Sequence, residues 1–301
     1  MIDPRPQPKR PKSRRPEPKG AKAKALSGFV RAFATEQGIS EARARLWVSY
    51  LMLGGALVRA NRDGRAPTYV IKGGVALELR LRERARATKD MDLSVGVPQP
   101  ALISHFEDAI VEPYEGFHFV RRGEPHHMPN GVVRLEVSIR YHDAPWNTIR
   151  VDLAMHENST TQVDLVDAMS IARLGLSGPR QLPCLALPYH IAQKLHAMTA
   201  PPGEDQRPND RFRDLVDIVL LAPLVEDYTT LCAACTDVFA SRATHAWPGN
   251  HLVLPAEWRE PYHALAVAVG GVTTEFDTAA REAEAFLVRI NAAAEQKRRP
   301  R

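Results

Sequence analysis

Long apolar runs are missing from this 301-residue chain. Nothing approaches the roughly 18 to 20 consecutive apolar residues of a membrane-crossing helix, so no membrane role is expected. The N-terminus is basic but lacks the apolar core of a secretory signal. Cysteine is scarce: three residues, an odd number, argue against a disulfide framework and fit a reducing, cytoplasmic setting. Cys232 and Cys235 form a lone C-x-x-C with no second ligand pair, so they read as packing rather than zinc ligation. Aromatic content is 7%, and Trp47, Trp146, Trp247 and Trp258 are scattered. They offer no visible stacking platform for bases and read mostly as core. His126 and His127 read as a solvated loop.

Acidic residues are nearly absent from the chain ends. Residues 1–25 carry nine Lys/Arg against Asp3 and Glu17, and Lys297 to Arg301 add four more cations. The overall charge of +5 therefore sits on a body near −6. A Pro-rich basic arm with almost no apolar residues cannot pack, so 1–25 is expected to be disordered. Such an arm either gains affinity from nucleic-acid phosphates through counterion release or is a solubilising extension.

Apolar content of 44% supports a substantial core in one large domain or two small ones. Leu26 to Gly38 reads as a helix, and Ser40 as the N-cap of a second. Tyr69 to Ile71 is a short buried strand, and Gly73-Gly74 turns it into a helix from Val75 to about Arg86. Met91 to Val97 reads as a strand, and Pro100 to Val111 as a helix. Val133, Leu135, Val137, Ile139 and Tyr141 alternate with polar residues, and Asn147 to Met155 returns, which predicts an antiparallel hairpin. Helices are then expected over Tyr189–Met198, over Arg211–Leu221 capped by Asn209 or Asp210, and over Thr273–Ala294. The fold class is α+β. The expected domains are an arm (1–25), a mixed α/β core (26–160), a helical domain (161–296) and a basic tail (297–301).

The chemistry concentrates between Tyr69 and Val95. Asp90 and Asp92 are one residue apart on a strand, so both point to one face. They offer the hard oxygen ligands that Mg²⁺ prefers, and Asp152 on the returning strand is the candidate third carboxylate. Gly73-Gly74 lets backbone N–H groups approach a phosphate. Thr88 is placed to bond a phosphate or a metal-bound water, or to cap a helix end. Arg86 is placed to clamp phosphate or to pair with Glu83 on the surface. Taken singly, a D-x-D is more often a solvated strand edge; the preceding strand–Gly-Gly–helix unit reverses that weighting. A second cluster lies on the helical part. Lys194 borders a buried stripe and either snorkels to water or enters a cleft. Asp214 and Asp217 share one side of their helix.

The order of these pieces resembles the AbiEii-type nucleotidyltransferase toxins. The match rests on Lys72-Gly73-Gly74-Val75-Ala76-Leu77, then Arg86, Thr88, Asp90, Asp92 and Leu93. It continues with Ala192, Lys194, Leu195 and Ala197, and ends with Arg211, Asp214 and Asp217. It spans roughly residues 45 to 225. Arg213 stands where the family usually has Lys, and Ile218 where it usually has Leu. The resemblance implies a polymerase-β-type nucleotidyltransferase core followed by a helical domain that closes the cleft. It implies transfer of a nucleotide from an NTP to RNA, with the 3′ end of tRNA as acceptor. A Mg²⁺ cofactor (Mn²⁺ as the alternative) and a separate antitoxin protein are implied as well. The implied roles are Asp90 and Asp92 as metal ligands, Lys194 as the triphosphate-binding lysine and Asp214 as an essential acid. Lys72, Gly73, Gly74, Arg86 and Thr88 would line the nucleotide. Two other readings stand beside this one: an enzyme that modifies a protein hydroxyl, and a non-catalytic nucleic-acid-binding protein on a retired transferase fold.

Overall fold

The computed structural model describes residues 20–157, 162–201, 211–249 and 251–298. Helix α1 (Ala21–Glu36) begins inside the segment assigned to the basic arm, five residues earlier than the apolar pattern indicated. Residues 1–19 of that arm, the Asn209/Asp210 cap and residues 299–301 lie outside the described residues. Helix α2 (Glu41–Arg62) starts where expected: Ser40 Oγ accepts from the backbone N–H of Arg43 at 3.2 Å, and Arg59 and Arg62 complement the dipole at its other end.

Seven strands form one mixed sheet. They are β1 (Tyr69–Ile71), β2 (Asp90–Val95), β3 (Phe117–His127), β4 (Val133–Tyr141), β5 (Ala144–Met155), β6 (Val163–Asp167) and β7 (Gln181–Leu185), in the order β3-β4-β5-β2-β1-β7-β6. The hairpin β4–β5 is antiparallel, whereas β2 runs parallel to β5 and β1 parallel to β7. Two features differ from expectation. Strand β3 pairs with β4 along its length, and β6–β7 extend the sheet well past residue 160. The helical part therefore begins at α5 (Leu187–Met198) and continues through α6 (Phe212–Leu221), α7 (Tyr228–Arg242), α8 (Arg259–Val269) and α9 (Phe276–Arg298).

Period-2 alternation gives the sheet one apolar face. Met91, Leu93, Val133, Leu135, Val151 and Leu153 are all buried there, against α2 and α4 (Leu102–Ile110). A second core joins α5 to α9 around Leu195, Leu215, Trp258 and Phe286. Helix α3 (Gly73–Leu81) lies between the two: Val75, Ala76 and Leu79 belong to the first core, Leu77 and Leu81 to the second. It stops at Leu81 rather than continuing to Arg86, because Arg82 turns to φ +59° and opens a 3-10 turn over Arg82–Arg84. Arg43 holds that turn, donating to the carbonyls of Arg82 at 3.4 Å and Ala85 at 2.5 Å. No helix among the described residues is long and apolar enough to cross a membrane.

Candidate active site

The turn from β1 into α3 brings backbone against carboxylate. Lys72 N–H donates to the carbonyl of Asp92 at 2.8 Å, which fixes the two strand ends side by side. Gly73 then adopts φ +56°, and a Cβ built there falls 1.9 Å from Asp92 Oδ2. Only glycine admits the carboxylate this close. A Cβ on Gly74 would lie 2.5 Å from Thr88 Oγ1, which itself donates to the carbonyl of Asp90 at 3.2 Å. The first N–H groups of α3 have no side-chain cap, so an anion is their natural partner.

Register places the acidic residues on one sheet face. Asp90 is opposite Arg150, and Asp92 is opposite Asp152, which in turn faces Arg134. Arg134 takes both oxygens of Asp152, at 2.8 Å each. Arg150 Nε lies 2.6 Å from Asp90 Oδ1, an ion pair without hydrogen-bond alignment, since that oxygen has no aligned donor among the described residues. Asp92 has no ion-pair partner among the described residues. Burial lifts its pKa above the usual carboxylate value, and the neighbouring Asp152 and Asp90 raise it further against the pull of Lys72 and Lys194. Carboxylates that repel one another beside an anion-binding turn fit a hard divalent cation, which would relieve that repulsion. Asp90 and Asp92 are the fitting pair. Asp152, the expected third ligand, is held by Arg134 through one bond to each oxygen, which leaves a lone pair on each. No three His, Cys, Asp or Glu side chains among the described residues are arranged as a complete metal cage.

Across a cleft of about 860 Å³, α5 and α6 supply the opposite wall. Lys194 is buried rather than snorkelling, with Nζ 2.9 Å from Asp214 Oδ1 and 2.6 Å from Asp217 Oδ2. Burial opposes its charge, but these two carboxylates outweigh that and hold its pKa above the free value. Lys72, Gly73, Asp92, Lys194 and Asp214 all line this cleft. Asp90 and Asp152 stand beside Asp92 on the sheet, and Gly74 and Thr88 pack behind the turn. Arg86 turns away, closing on Asp217 with Nε at 2.9 Å from Oδ1. It does not line the cleft, and its partner is Asp217 rather than Glu83.

Several lining residues escaped sequence reading. His190 and Gln193 share the Lys194 face of α5 at helical spacing, a signal present in HIAQK but overlooked. Neither ring nitrogen of His190 has a partner among the described residues, and its burial beside Lys194 keeps the ring neutral. Arg242 and Asn130 arrive from α7 and the β3–β4 turn, placements with no local sequence signal. Lys72 is half-buried near Asp92, Glu157 and Arg242, and desolvation lowers its pKa.

Similarity to known proteins agrees with this architecture. MenT4, a nucleotidyltransferase toxin from Mycobacterium tuberculosis H37Rv, superposes with a TM-score of 0.58 at 17% identity, covering 90% of this chain and 92% of its own. JHP933 from Helicobacter pylori gives a TM-score of 0.42 at 15% identity, covering 85% and 94%. No curated protein sequence matches the chain. The family described as "Nucleotidyl transferase AbiEii toxin, Type IV TA system" matches residues 55–285. Over that span, which takes in the β1–α3 turn, the aspartate strand and the lysine helix, the chain belongs to the AbiEii nucleotidyltransferase toxins.

Proposed function

We propose that this protein transfers a nucleotide from an NTP to an RNA acceptor, with the 3′ end of tRNA as the acceptor that the family resemblance implies. The observation that supports this best is Asp92. Its carboxylate has no ion-pair partner among the described residues and lies against the backbone of an anion-binding turn, and it faces a cleft whose far wall carries Lys194. In the reaction, the acceptor hydroxyl attacks the α-phosphorus in line. The new P–O bond forms as the α–β bridge breaks, pyrophosphate leaves and the hydroxyl proton is released to water. The α3 N–H groups and Lys72 bind the triphosphate, and Lys194, held by Asp214, adds positive charge from across the cleft. A divalent cation (Mg²⁺, with Mn²⁺ as the alternative) held by Asp90 and Asp92 would neutralise phosphate charge there. Activity of this kind in the cytoplasm blocks aminoacylation, and a separate antitoxin protein restrains it.

The test is direct. Purified protein is incubated with total RNA, Mg²⁺ and each α-labelled NTP separately, and the labelled species is identified. Label is expected in an RNA of tRNA size with a preferred NTP, and is expected to vanish in folded Asp90→Ala. Wild-type labelling by that variant would remove the assignment of the aspartate pair.

A further inference from the structure

Among the described residues, three carboxylates line the cleft: Asp92, Asp214 and Glu157. Two have a place in the chemistry, Asp92 beside the anion-binding turn and Asp214 on Lys194. Glu157 has no such place, yet it stands among the cations. It follows the end of β5 on the sheet wall, and Arg242, the last residue of α7, reaches it from the helical wall. Arg242 Nη2 donates to Oε1 at 3.1 Å and to Oε2 at 3.0 Å, and Nε donates to Oε2 at 3.2 Å. A planar fork thus meets both carboxylate oxygens, the same geometry it offers to phosphate. The Glu157 charge also acts on Lys72, more strongly than that of Asp92 does, and Lys72 has no ion-pair partner among the described residues. Side-chain exposures of 26% for Arg242 and 42% for Glu157 place the pair at the wet rim, where it adds little to stability.

We propose that Glu157 is a built-in stand-in for the triphosphate: it holds Arg242 and faces Lys72 until an incoming NTP displaces it, and Arg242 then grips the phosphates. The inference rests on the transferase reading above and supplies that site with a regulating contact. A triphosphate carries several negative charges, so Glu157 opposes its entry, and Arg242 gains more from the phosphates than from one carboxylate. Arg242 already lines the cleft, so the exchange asks for side-chain movement rather than a new position of α7. Water screens the rim pair, which makes it easy to open. Lys194 cannot take this part, because Asp214 and Asp217 hold it buried.

The experiment is equilibrium binding to the full chain, with Mg²⁺ and without RNA, in wild type, E157Q, R242A and R242K. The probes are the four α,β-methylene NTPs, which cannot transfer, and inorganic tripolyphosphate, which has no base. E157Q should bind about three- to fivefold more tightly than wild type. R242A should bind about tenfold or more weakly, with R242K in between. Opposite signs are the signature, because E157Q and R242A break the same ion pair. A tie that merely holds the two walls together would shift both affinities the same way, along with both melting temperatures. E157Q at or below wild-type affinity would overturn the proposal, as would R242A at wild-type affinity. A wild type that shows these opposite shifts but never labels RNA would overturn the transferase reading and leave the exchange standing. RNA labelling by a wild type whose two variants both bind more weakly would do the reverse.

Discussion

Lys194 Nζ lies 2.6 Å from Asp217 Oδ2, and Arg86 grips the same carboxylate from its other side, with Nε at 2.9 Å and Nη2 at 3.0 Å. Asp217 is fully buried, so this ionic junction ties the loop after α3 to α5 and α6. It fixes the lysine that faces Asp92 across the cleft. A buried charge left without its partner is costly, whatever the net worth of the intact cluster.

Removing that partner is the first prediction. Asp217→Asn leaves Arg86 without its carboxylate and Lys194 with Asp214 alone, and should lower stability by about 3–5 kcal/mol, read by urea denaturation. Burial pushes Asp217 up, yet Lys194 and Arg86 hold it below its free value of 3.8. Its contribution is therefore present above pH 3.8 and is lost as pH falls through the lower folded value. The Lys194 contribution is present below 10.5 and is lost as pH rises through its raised folded value. The gap between wild type and variant should stay flat from about pH 5 to 9 and narrow in acid. A variant as stable as wild type at neutral pH would show that the junction is not structural.

Asp92 should behave in the opposite way. Its folded pKa lies above the free value of 3.8, so the ionised carboxylate costs stability at neutral pH. Asp92→Asn should hold or raise the melting temperature while nucleotide transfer falls by about 10²–10³-fold or more. Loss of activity together with a lowered melting temperature would recast Asp92 as a structural residue.

The β1–α3 turn can be tested against an internal control. Gly73→Ala meets two penalties: a left-handed φ of +56° and a Cβ 1.9 Å from Asp92 Oδ2. Gly64→Ala meets only the first, since Gly64 has φ +72° with nothing within 4 Å of a Cβ. The backbone penalty is about 1–2 kcal/mol in each. Gly64→Ala should therefore lose that much stability and keep full transfer, and Gly73→Ala should lose more and transfer nothing. Equal activity in the two would mean that the close approach to Asp92 has no role in the chemistry.

Much of this site was legible in the chain because its signals are local. The shared face of Asp90 and Asp92 needed only the strand period and Gly73-Gly74 only the turn, whereas the helix stripe left Lys194 between water and a cleft, and its role came from the family resemblance. The helical C-terminal part followed equally from periodicity. What stayed hidden depended on partners distant in sequence. Arg134 bonds both oxygens of Asp152, and Arg86 pairs with Asp217. Strands β6 and β7 were missed because their runs are short, β6 broken by Asp164 and β7 by Pro183. On edge strand β6 the alternation is inverted, with Leu165 and Val163 exposed and Asp164 half-buried. The end of α3 was misplaced because Arg43, about 40 residues upstream, collects the carbonyls that terminate it.

That terminating turn carries the last prediction. Glu78 Oε1 accepts from Arg43 Nε at 2.9 Å inside α3, yet burial outweighs the arginine and lifts the carboxyl from 4.5 to about 6. A folded pKa above the unfolded one means that stability is lost as pH rises from 4.5 through about 6, and stays lost beyond it. The shift corresponds to about 2 kcal/mol. Glu78→Gln keeps an oxygen for Arg43 and removes the charge. Its stability relative to wild type should therefore rise by about 2 kcal/mol between pH 4 and pH 8. Chemical denaturation at both values measures this. A relative stability that falls over the same range would mean that Arg43, not burial, dominates. The Arg43–Glu78 pair would then be what holds the Arg82 turn, and with it Arg86, in place.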